Sequence, residues 1–95
     1  MDRNPIAYIL CSDNRAALYV GVTANLSRRL EKHRRGLVEH TSRYNIYRLI
    51  YFESYETMFD AIASEKQLEN WRRDKKLVLI NRSNPEWRDL SGEID

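Results

Sequence analysis

Apolar residues cluster in three short segments of the chain, each typical of a β-strand. Residues 6–11 (IAYILC) are apolar on both parities, which favours a strand covered on both faces. Residues 18–23 (LYVGVT) alternate, and the turn-forming residues 12–15 predict that the first two segments pair as a hairpin. Residues 48–55 (RLIYFESY) are rich in Ile, Tyr and Phe and predict a third strand.

A helical pattern follows the hairpin. Asn25 can cap a helix over residues 26–35, and Gly36 can end it. The predicted inward stripe of this helix consists of Leu26, Leu30 and Leu37. Residues 41–47 are polar and predict a loop before the third strand.

The last third of the chain predicts two more helices. Thr57, with Asp60 three residues on, resembles a capping box that opens a helix over residues 58–72. A further helix over residues 75–81 ends before Pro85, since proline lacks the amide that a helix needs.

The C-terminal segment is expected to close the fold. Trp87 and Leu90 are predicted to fold back on the core, and residues 91–95 to form a frayed tail. The order β-β-α-β-α-α predicts an α/β (α+β) fold, in which helices flank a small three-stranded antiparallel sheet. Because the chain has 95 residues, we expect one domain over residues 1–95.

Composition excludes several classes of protein. Hydrophobic residues make up 42% and charged residues 32% of the chain, the balance of a soluble globular protein. Its longest apolar run, residues 6–11, is far shorter than the roughly 20 residues that span a bilayer, and residues 1–5 lack a signal-peptide pattern. Cys11 is the only cysteine, which excludes a disulfide framework and is typical of a buried core thiol in a reducing cytoplasm.

Basic residues are concentrated in two parts of the chain, although the net charge is only +2. Residues 25–48 carry a local charge of +5 and residues 66–76 one of +3. Two interpretations are open: a basic face that binds a polyanion, or ordinary solvated helix faces. The nucleic-acid-binding residues predicted from the first interpretation are Arg28, Lys32, Arg35, Arg72, Arg73 and Lys76.

Three charged or titratable residues fall beside or within apolar helix stripes. Arg29 and His33 lie four residues apart and share one edge of the first helix. Glu65 falls within the predicted stripe of the second long helix, where a carboxylate costs several kcal/mol unless it is paired, protonated or bound to a metal. Glu65 is therefore either one half of a buried salt bridge, to Arg29 or Lys66, or a metal ligand or acid–base group. The full predicted stripe is Met58, Ala61, Ile62 and Leu68.

Two tyrosines lie on the predicted hairpin. Beside Tyr19, Gly21 leaves a gap that a ligand or another backbone can approach. A phenol near a cation and a metal can orient or deprotonate water, although a strand tyrosine more often only packs. Tyr8 and Tyr19 are therefore candidates either for a role in orienting or deprotonating water or for simple packing. The other tyrosines are interpreted as packing residues: Tyr44, Tyr47, Tyr51 and Tyr55.

Four segments of the sequence resemble the motifs of a known family. Ile6-Ala7-Tyr8, followed after ten residues by Tyr19-Val20-Gly21, resembles the paired motif that names the GIY-YIG nuclease superfamily. The likeness continues in Thr23-x-x-Leu26-x-x-Arg29-Leu30-x-x-His33, in Ala63-x-Glu65-Lys66-Gln67-Leu68-x-x-Trp71-Arg72-Arg73 and in Asn84-Pro85-x-Trp87. The chain resembles the small stand-alone bacterial branch, which is related to the N-terminal nuclease module of the excision-repair endonuclease subunit.

The resemblance implies phosphodiester hydrolysis with one divalent metal, Mg²⁺ or Mn²⁺. Tyr8 and Tyr19 would orient or deprotonate the attacking water, and His33 would assist nearby. Arg29 would hold the scissile phosphate, and Glu65 would bind the metal. Asn84 matches the late asparagine of the family.

The sequence thus predicts a cytoplasmic, metal-dependent endonuclease that acts on DNA rather than RNA, in repair or recombination. No membrane is involved, and the sequence identifies no protein partner. The alternative is a non-catalytic nucleic-acid-binding module that retains the nuclease fold. A protein-interaction adaptor would need an exposed apolar patch, which the sequence does not indicate.

Overall fold

A computed structural model describes residues 4–94 of the protein. The sheet consists of β1 (Ile6–Ser12), β2 (Leu18–Thr23) and β3 (Ile46–Ser54). The helices are α1 (Leu26–Arg34), α2 (Glu39–Arg43), α3 (Met58–Asn70), α4 (Arg73–Ser83) and a short 3-10 helix (Leu90–Glu93). Residues 1–3, part of the segment without a signal-peptide pattern, and Asp95, part of the predicted tail, lie outside the described residues.

The sheet has the strand order β2-β1-β3, with both pairs antiparallel. This confirms the predicted hairpin, the third strand and the α/β (α+β) class. The predicted element order is also found, with the five-residue α2 added between α1 and β3, where a polar loop was predicted. No helix within residues 4–94 is long and apolar enough to cross a membrane.

Side chains of β1 alternate between two cores because successive residues of a strand face opposite sides of the sheet. The α1-side core contains Tyr8, Leu10, Leu26, Leu30, Ile46 and Leu49. The α4-side core contains Ile9, Cys11, Ile50, Leu68, Ile80 and Trp87. Cys11 is fully buried, as its interpretation as a core residue predicted.

The ends of α1 follow the predicted signals. The Asn25 side chain accepts a hydrogen bond from the Arg28 backbone N–H, which satisfies one of the free amides of the first turn. At the other end Gly36 has a φ of +74°, a conformation that glycine adopts without a steric penalty. The backbone N–H of Leu37 then bonds to the Lys32 carbonyl, which ends the helix in a Schellman motif.

Two predicted stripes are wrong in part. Leu37 is 66% exposed because the turn at Gly36 carries it away from the helix, and His33 takes the third buried position of α1 instead. On α3, Ala61 and Leu68 are buried, whereas Met58 and Ile62 are exposed. With Phe59, which is 81% exposed, they form an exposed apolar strip, the feature that the adaptor hypothesis requires.

The C-terminal segment packs back as predicted, but farther than predicted. Trp87 is buried in the α4-side core, and Leu90 packs against the α1-side core. In place of the described part of the predicted frayed tail, Asp89 caps the 3-10 helix and Ile94 packs against the α1-side core. The apolar contacts of Leu90 and Ile94 explain this order.

Candidate active site

Tyr8 lies on the central strand, with its side chain over Gly21 of β2. The two residues are paired across the strands, and Tyr8 is completely buried. A Cβ atom at position 21 would lie 2.5 Å from both Cζ and the hydroxyl oxygen of Tyr8. The gap predicted beside Tyr19 is therefore filled by the Tyr8 ring, and Gly21 is needed because only a residue without a side chain leaves room for it.

A chain of hydrogen bonds links Tyr8 to α1 and α2. The Arg29 Nε–H donates to the Tyr8 hydroxyl oxygen at 3.4 Å, and this oxygen lies 3.0 Å from His33 Nε2. His33 Nδ1 lies 2.8 Å from Thr41 Oγ1, which donates to the Val38 carbonyl at 3.2 Å. The bonds connect β1, α1 and α2 into one polar network within the α1-side core.

Burial keeps the two central groups of this network uncharged at neutral pH. It raises the pKa of Tyr8 to about 12, and the hydrogen bond from Arg29 opposes this only in part. It also lowers the pKa of His33 to about 4, with a further contribution from the positive charge of Arg29. Tyr8 is therefore a neutral phenol and His33 a neutral imidazole, which has one ring N–H and one nitrogen that can accept a hydrogen bond.

Acidification should destabilise the protein through His33. Its pKa of about 4 in the fold lies below the ordinary value of 6.5, so the unfolded chain takes up the proton first. The free energy of unfolding should fall as the pH drops through this window, by about 3 kcal/mol in all.

Urea unfolding at pH 7, 5.5 and 4 measures this loss. His33→Gln should lack it, whereas His40→Gln, at an exposed histidine on α2, should retain it. A His33→Gln protein whose stability falls as steeply as that of the wild type would contradict the assignment.

Tyr19 completes the cluster on its other side. Its ring centroid lies 5.2 Å from that of His33 in an edge-on arrangement and 6.4 Å from that of Tyr8. Hydrogen bonding to Tyr8, and then to Tyr19, raises the pKa of Arg29. Arg29, a half-buried cation, therefore bonds to Tyr8 and acts electrostatically on Tyr19.

Glu65 lies on α3, half-buried at the margin of the helix face that packs on the sheet. Among residues 4–94 it forms no salt bridge with Arg29 or Lys66, so the buried-ion-pair interpretation is not supported. Desolvation raises the pKa of Glu65, and the neighbouring Glu69 raises it further. The charge of Glu65 in turn contributes to the raised pKa of Tyr8, which places the carboxylate within electrostatic reach of the phenol.

Glu65 offers the kind of ligand that a divalent metal requires. Mg²⁺ commonly binds proteins through one or two carboxylates, with water and substrate phosphates completing its octahedron. The described part of the chain holds no group of three His, Cys, Asp or Glu side chains that could enclose a metal. One carboxylate near Tyr8 therefore fits a metal that is shared with a phosphate, and does not fit a closed structural site.

The two basic clusters lie on helices that pack on opposite faces of the sheet. The exposed α1 cluster consists of Arg28, Lys32 and Arg35, at the helix that carries Arg29 and His33. The second cluster, Arg72, Arg73 and Lys76, lies at the start of α4, whose Ile80 belongs to the α4-side core. Arg73 also donates to the Arg15 carbonyl at 2.7 Å. The single basic face of the prediction is thus replaced by two clusters, of which the α1 cluster adjoins the tyrosine–histidine network.

Asn84 forms its hydrogen bonds away from the tyrosine–histidine network. Its side-chain amide donates to the carbonyls of Ile50 and Arg88, and its oxygen accepts from the Arg88 backbone N–H. These bonds fix the chain reversal after α4 and do not lead to Tyr8. The structure therefore brings together Tyr8, Tyr19, Arg29 and His33, with Glu65 in electrostatic reach, and leaves Asn84 apart.

Sequence reasoning missed Thr41 and the aromatic neighbours of Tyr19. The His40 ring centroid lies 5.9 Å from that of Tyr19, and the Tyr44 centroid 5.3 Å from that of His40. Residues 41–47 were predicted as loop, and Glu39 with Arg43, which form an i,i+4 ion pair at 3.1 Å, is the one local signal for α2. The contact between Thr41 and His33 is tertiary and has no sequence signal.

Comparisons with known proteins agree with this geometry. A family model described as the GIY-YIG catalytic domain matches residues 4–78, a range that includes Tyr8, Tyr19, Arg29, His33 and Glu65. UPF0213 proteins of Staphylococcus aureus strains Mu3 and Mu50 are each 36% identical over 81 residues, which cover 84% of this chain and 96% of theirs.

A solved structure shows the same fold. The solution NMR structure of the UPF0213 protein BH0048 from Bacillus halodurans aligns with a TM-score of 0.59 and 24% identity, over 90% of this chain and 92% of that one. Proteins with this domain are generally nucleases that use a divalent metal. The match over most of the chain, together with the tyrosine pair on the hairpin, shows that this chain belongs to the GIY-YIG catalytic domain family.

Proposed function

We propose that the protein is a metal-dependent endonuclease that hydrolyses phosphodiester bonds in DNA. The observation that carries the proposal is the buried contact of 3.0 Å between the Tyr8 hydroxyl and Nε2 of a neutral histidine. Hydrolysis needs an activated water, which a phenol paired with a histidine can supply, whereas binding to nucleic acid or protein does not require such a pair.

In the proposed reaction, the oxygen of a water molecule attacks phosphorus. The water passes one proton to the Tyr8 oxygen as Tyr8 passes its own proton to His33 Nε2; because Tyr8 is completely buried in the free protein, this step requires that substrate binding give water access to the hydroxyl. The bond from phosphorus to the leaving oxygen breaks with its electron pair, and that oxygen takes a proton from solvent. Because the pKa of Tyr8 is about 12 and that of His33 about 4, the proton rests on Tyr8 in the free protein, and its transfer to His33 costs free energy that bond formation to phosphorus must offset.

Arg29 would stabilise the negative charge that develops on the phosphate. Its Nε–H is bonded to Tyr8, which leaves the terminal nitrogens of the guanidinium for phosphate oxygens in a planar, two-pronged arrangement. Tyr19, held by the same cation, would orient the attacking water.

Glu65 would hold the divalent metal, Mg²⁺ or Mn²⁺. When bound, such an ion supplies a Lewis acid that stabilises charge on phosphate oxygens. A single carboxylate makes affinity for the free metal low, so we expect the metal to bind most strongly together with the nucleic acid.

The proposal extends to a cytoplasmic role in DNA repair or recombination. Its test is cleavage of single-stranded, duplex and branched DNA, with RNA of matched sequence, in Mg²⁺, Mn²⁺ or EDTA. Tyr8→Phe should abolish cleavage, because it removes only the hydroxyl that bonds to His33. Tyr51→Phe is the matched control, since this half-buried tyrosine of β3 bonds to Glu53 instead. Equal cleavage by both variants, or none by the wild type on any substrate, would refute the proposal.

Binding to DNA should depend on salt mainly through the α1 cluster. Each lost phosphate contact lowers the slope of log K against log salt by about 0.7 to 0.9. We therefore expect the triple variant Arg28→Gln, Lys32→Gln, Arg35→Gln to lower the slope by about 2 to 3, measured by fluorescence anisotropy without metal.

The α4 cluster is the matched comparison. The double variant Arg72→Gln, Lys76→Gln should leave the slope nearly unchanged, because these residues lie apart from the helix that carries Arg29 and His33, whereas the loss of two phosphate contacts would lower it by about 1.4 to 1.8. A larger loss from the α4 variant would place the DNA on the other side of the molecule.

A further inference from the structure

Thr41 is a polar residue in an unusual place. It is the single buried residue of α2 and is completely buried, although α2 has only five residues. Its Oγ1 is bonded on both sides, to the Val38 carbonyl and to His33 Nδ1. A buried hydroxyl with both partners in place orients the groups that it joins.

The hydrogen bonds of Thr41 bear on which atom donates and which atom accepts at every hydrogen bond of the network. A hydroxyl carries one proton, and Thr41 Oγ1 lies 3.2 Å from the Val38 carbonyl, which can only accept, and 2.8 Å from His33 Nδ1. When Thr41 donates that proton to Val38, Oγ1 can only accept at His33, and the imidazole proton lies on Nδ1. A neutral imidazole has one N–H, which leaves the lone pair of Nε2 directed at the Tyr8 hydroxyl.

The other tautomer of His33, with its proton on Nε2, would leave the Tyr8 proton without an acceptor in the network. If Nε2 carried the proton, the Tyr8 oxygen would accept from both His33 and Arg29, and the Tyr8 proton would lose its acceptor in the network. Tyr8 is completely buried in the free protein, so no water replaces that acceptor there, and an unsatisfied buried donor costs free energy. In that tautomer, moreover, Nε2 could not take up a proton from Tyr8.

We propose that Thr41 is a positioning residue of the nuclease reaction: it holds His33 in the Nδ1–H tautomer, so that Nε2 faces Tyr8 as a proton acceptor. The inference rests on the proposed function for its effect on rate, but not for the tautomer itself. It assigns α2 a role in the site that no local sequence pattern indicates.

Two substitutions separate the hydroxyl from the shape of the side chain. Thr41→Val keeps the branched shape and removes the hydroxyl, whereas Thr41→Ser keeps the hydroxyl. Ser42→Ala is the control on the same helix, since it removes the hydroxyl of the neighbouring residue.

The first measurement is the ¹⁵N chemical shifts of the His33 ring nitrogens, which report the tautomer without substrate. The wild type, Thr41→Ser and Ser42→Ala should all show the Nδ1–H form. Thr41→Val should shift His33 toward the Nε2–H form. A wild type in the Nε2–H form, or a Thr41→Val protein with the wild-type shifts, would overturn the proposal.

The second measurement is steady-state cleavage. Loss of a group that orients a functional histidine typically costs 10- to 100-fold, as at metal-bound histidines. We therefore expect Thr41→Val to lower kcat by roughly 10- to 100-fold with little change in KM, and Thr41→Ser to restore most of it. A Thr41→Val enzyme with normal kcat would overturn the catalytic part of the proposal.

The two measurements fail independently. If the wild type cleaves no nucleic acid, the proposed function fails, while the ring shifts still decide whether Thr41 sets the tautomer. If Thr41→Val does not fold, the ring shifts of Thr41→Ala, which also lacks the hydroxyl, decide the same point.

Discussion

Arg29→Lys is expected to lower kcat/KM for cleavage by about 100- to 1,000-fold, although it keeps the positive charge. Loss of one preorganised donor to transition-state charge typically costs about 2.7 to 4 kcal/mol, and each 1.36 kcal/mol is a factor of ten in rate. Lysine has no Nε–H at the depth where Arg29 donates to Tyr8. Its ammonium is also a hydrated point charge that cannot bind two phosphate oxygens in one plane.

Single-turnover cleavage with enzyme in excess over DNA, at sub-saturating enzyme concentrations, gives kcat/KM and measures this loss. Arg28→Lys is the matched control, because Arg28 is the neighbouring arginine on α1 and is exposed. We expect it to cleave at nearly the wild-type rate. Near-normal cleavage by Arg29→Lys would make Arg29 a structural cation that only holds the two tyrosines in place.

Glu65→Ala is expected to reduce cleavage to the background rate without destabilising the fold. Glu65 has no salt-bridge partner among the described residues, and repulsion from Glu69 disappears with its charge. Like charges four residues apart on a helix cost a few tenths of a kcal/mol. Without metal, the variant should therefore melt at the wild-type temperature or slightly above it.

Added metal should raise the melting temperature of the wild type but not that of Glu65→Ala. A metal at 100 times its Kd stabilises the folded state by about 2.7 kcal/mol, so the Tm of the wild type should rise with Mn²⁺ while that of Glu65→Ala stays unchanged. Glu69→Ala is the matched control and should still cleave, since Glu65 and not Glu69 acts on the pKa of Tyr8. A Glu65→Ala protein that melts several degrees lower without metal and still cuts DNA would make Glu65 a structural residue.

Periodicity and end signals were sufficient to predict the sheet and most helices. β2 begins and ends at the predicted residues, and Asn25 and Thr57 cap their helices as expected. These features depend on neighbours within a few positions, which a single sequence displays directly. Tyr8, Tyr19 and Arg29 also lie close together, as expected for the shared site that the family resemblance implies.

The remaining features depend on contacts between distant parts of the chain. Whether Gly21 faces a ligand or the Tyr8 ring is decided by strand register, and the exposure of Leu37 by the direction in which the chain leaves Gly36. His33 is buried because Tyr8 and Thr41 are hydrogen-bond partners for both of its nitrogens. The pattern of apolar residues cannot predict such partners, because they lie on other elements of the fold.

The position of Tyr8 on the middle strand has a consequence for how activity can be lost. β1 is bonded along both edges, so its backbone opens only when the sheet itself comes apart, and it belongs to the most protected part of the molecule. Thr41 belongs instead to a single-turn helix that is far less protected. Heat, denaturant or a mutation that unfolds α2 locally would therefore abolish activity while the sheet remains folded. Tyr8 would stay in place, but His33 would have lost the residue that orients it.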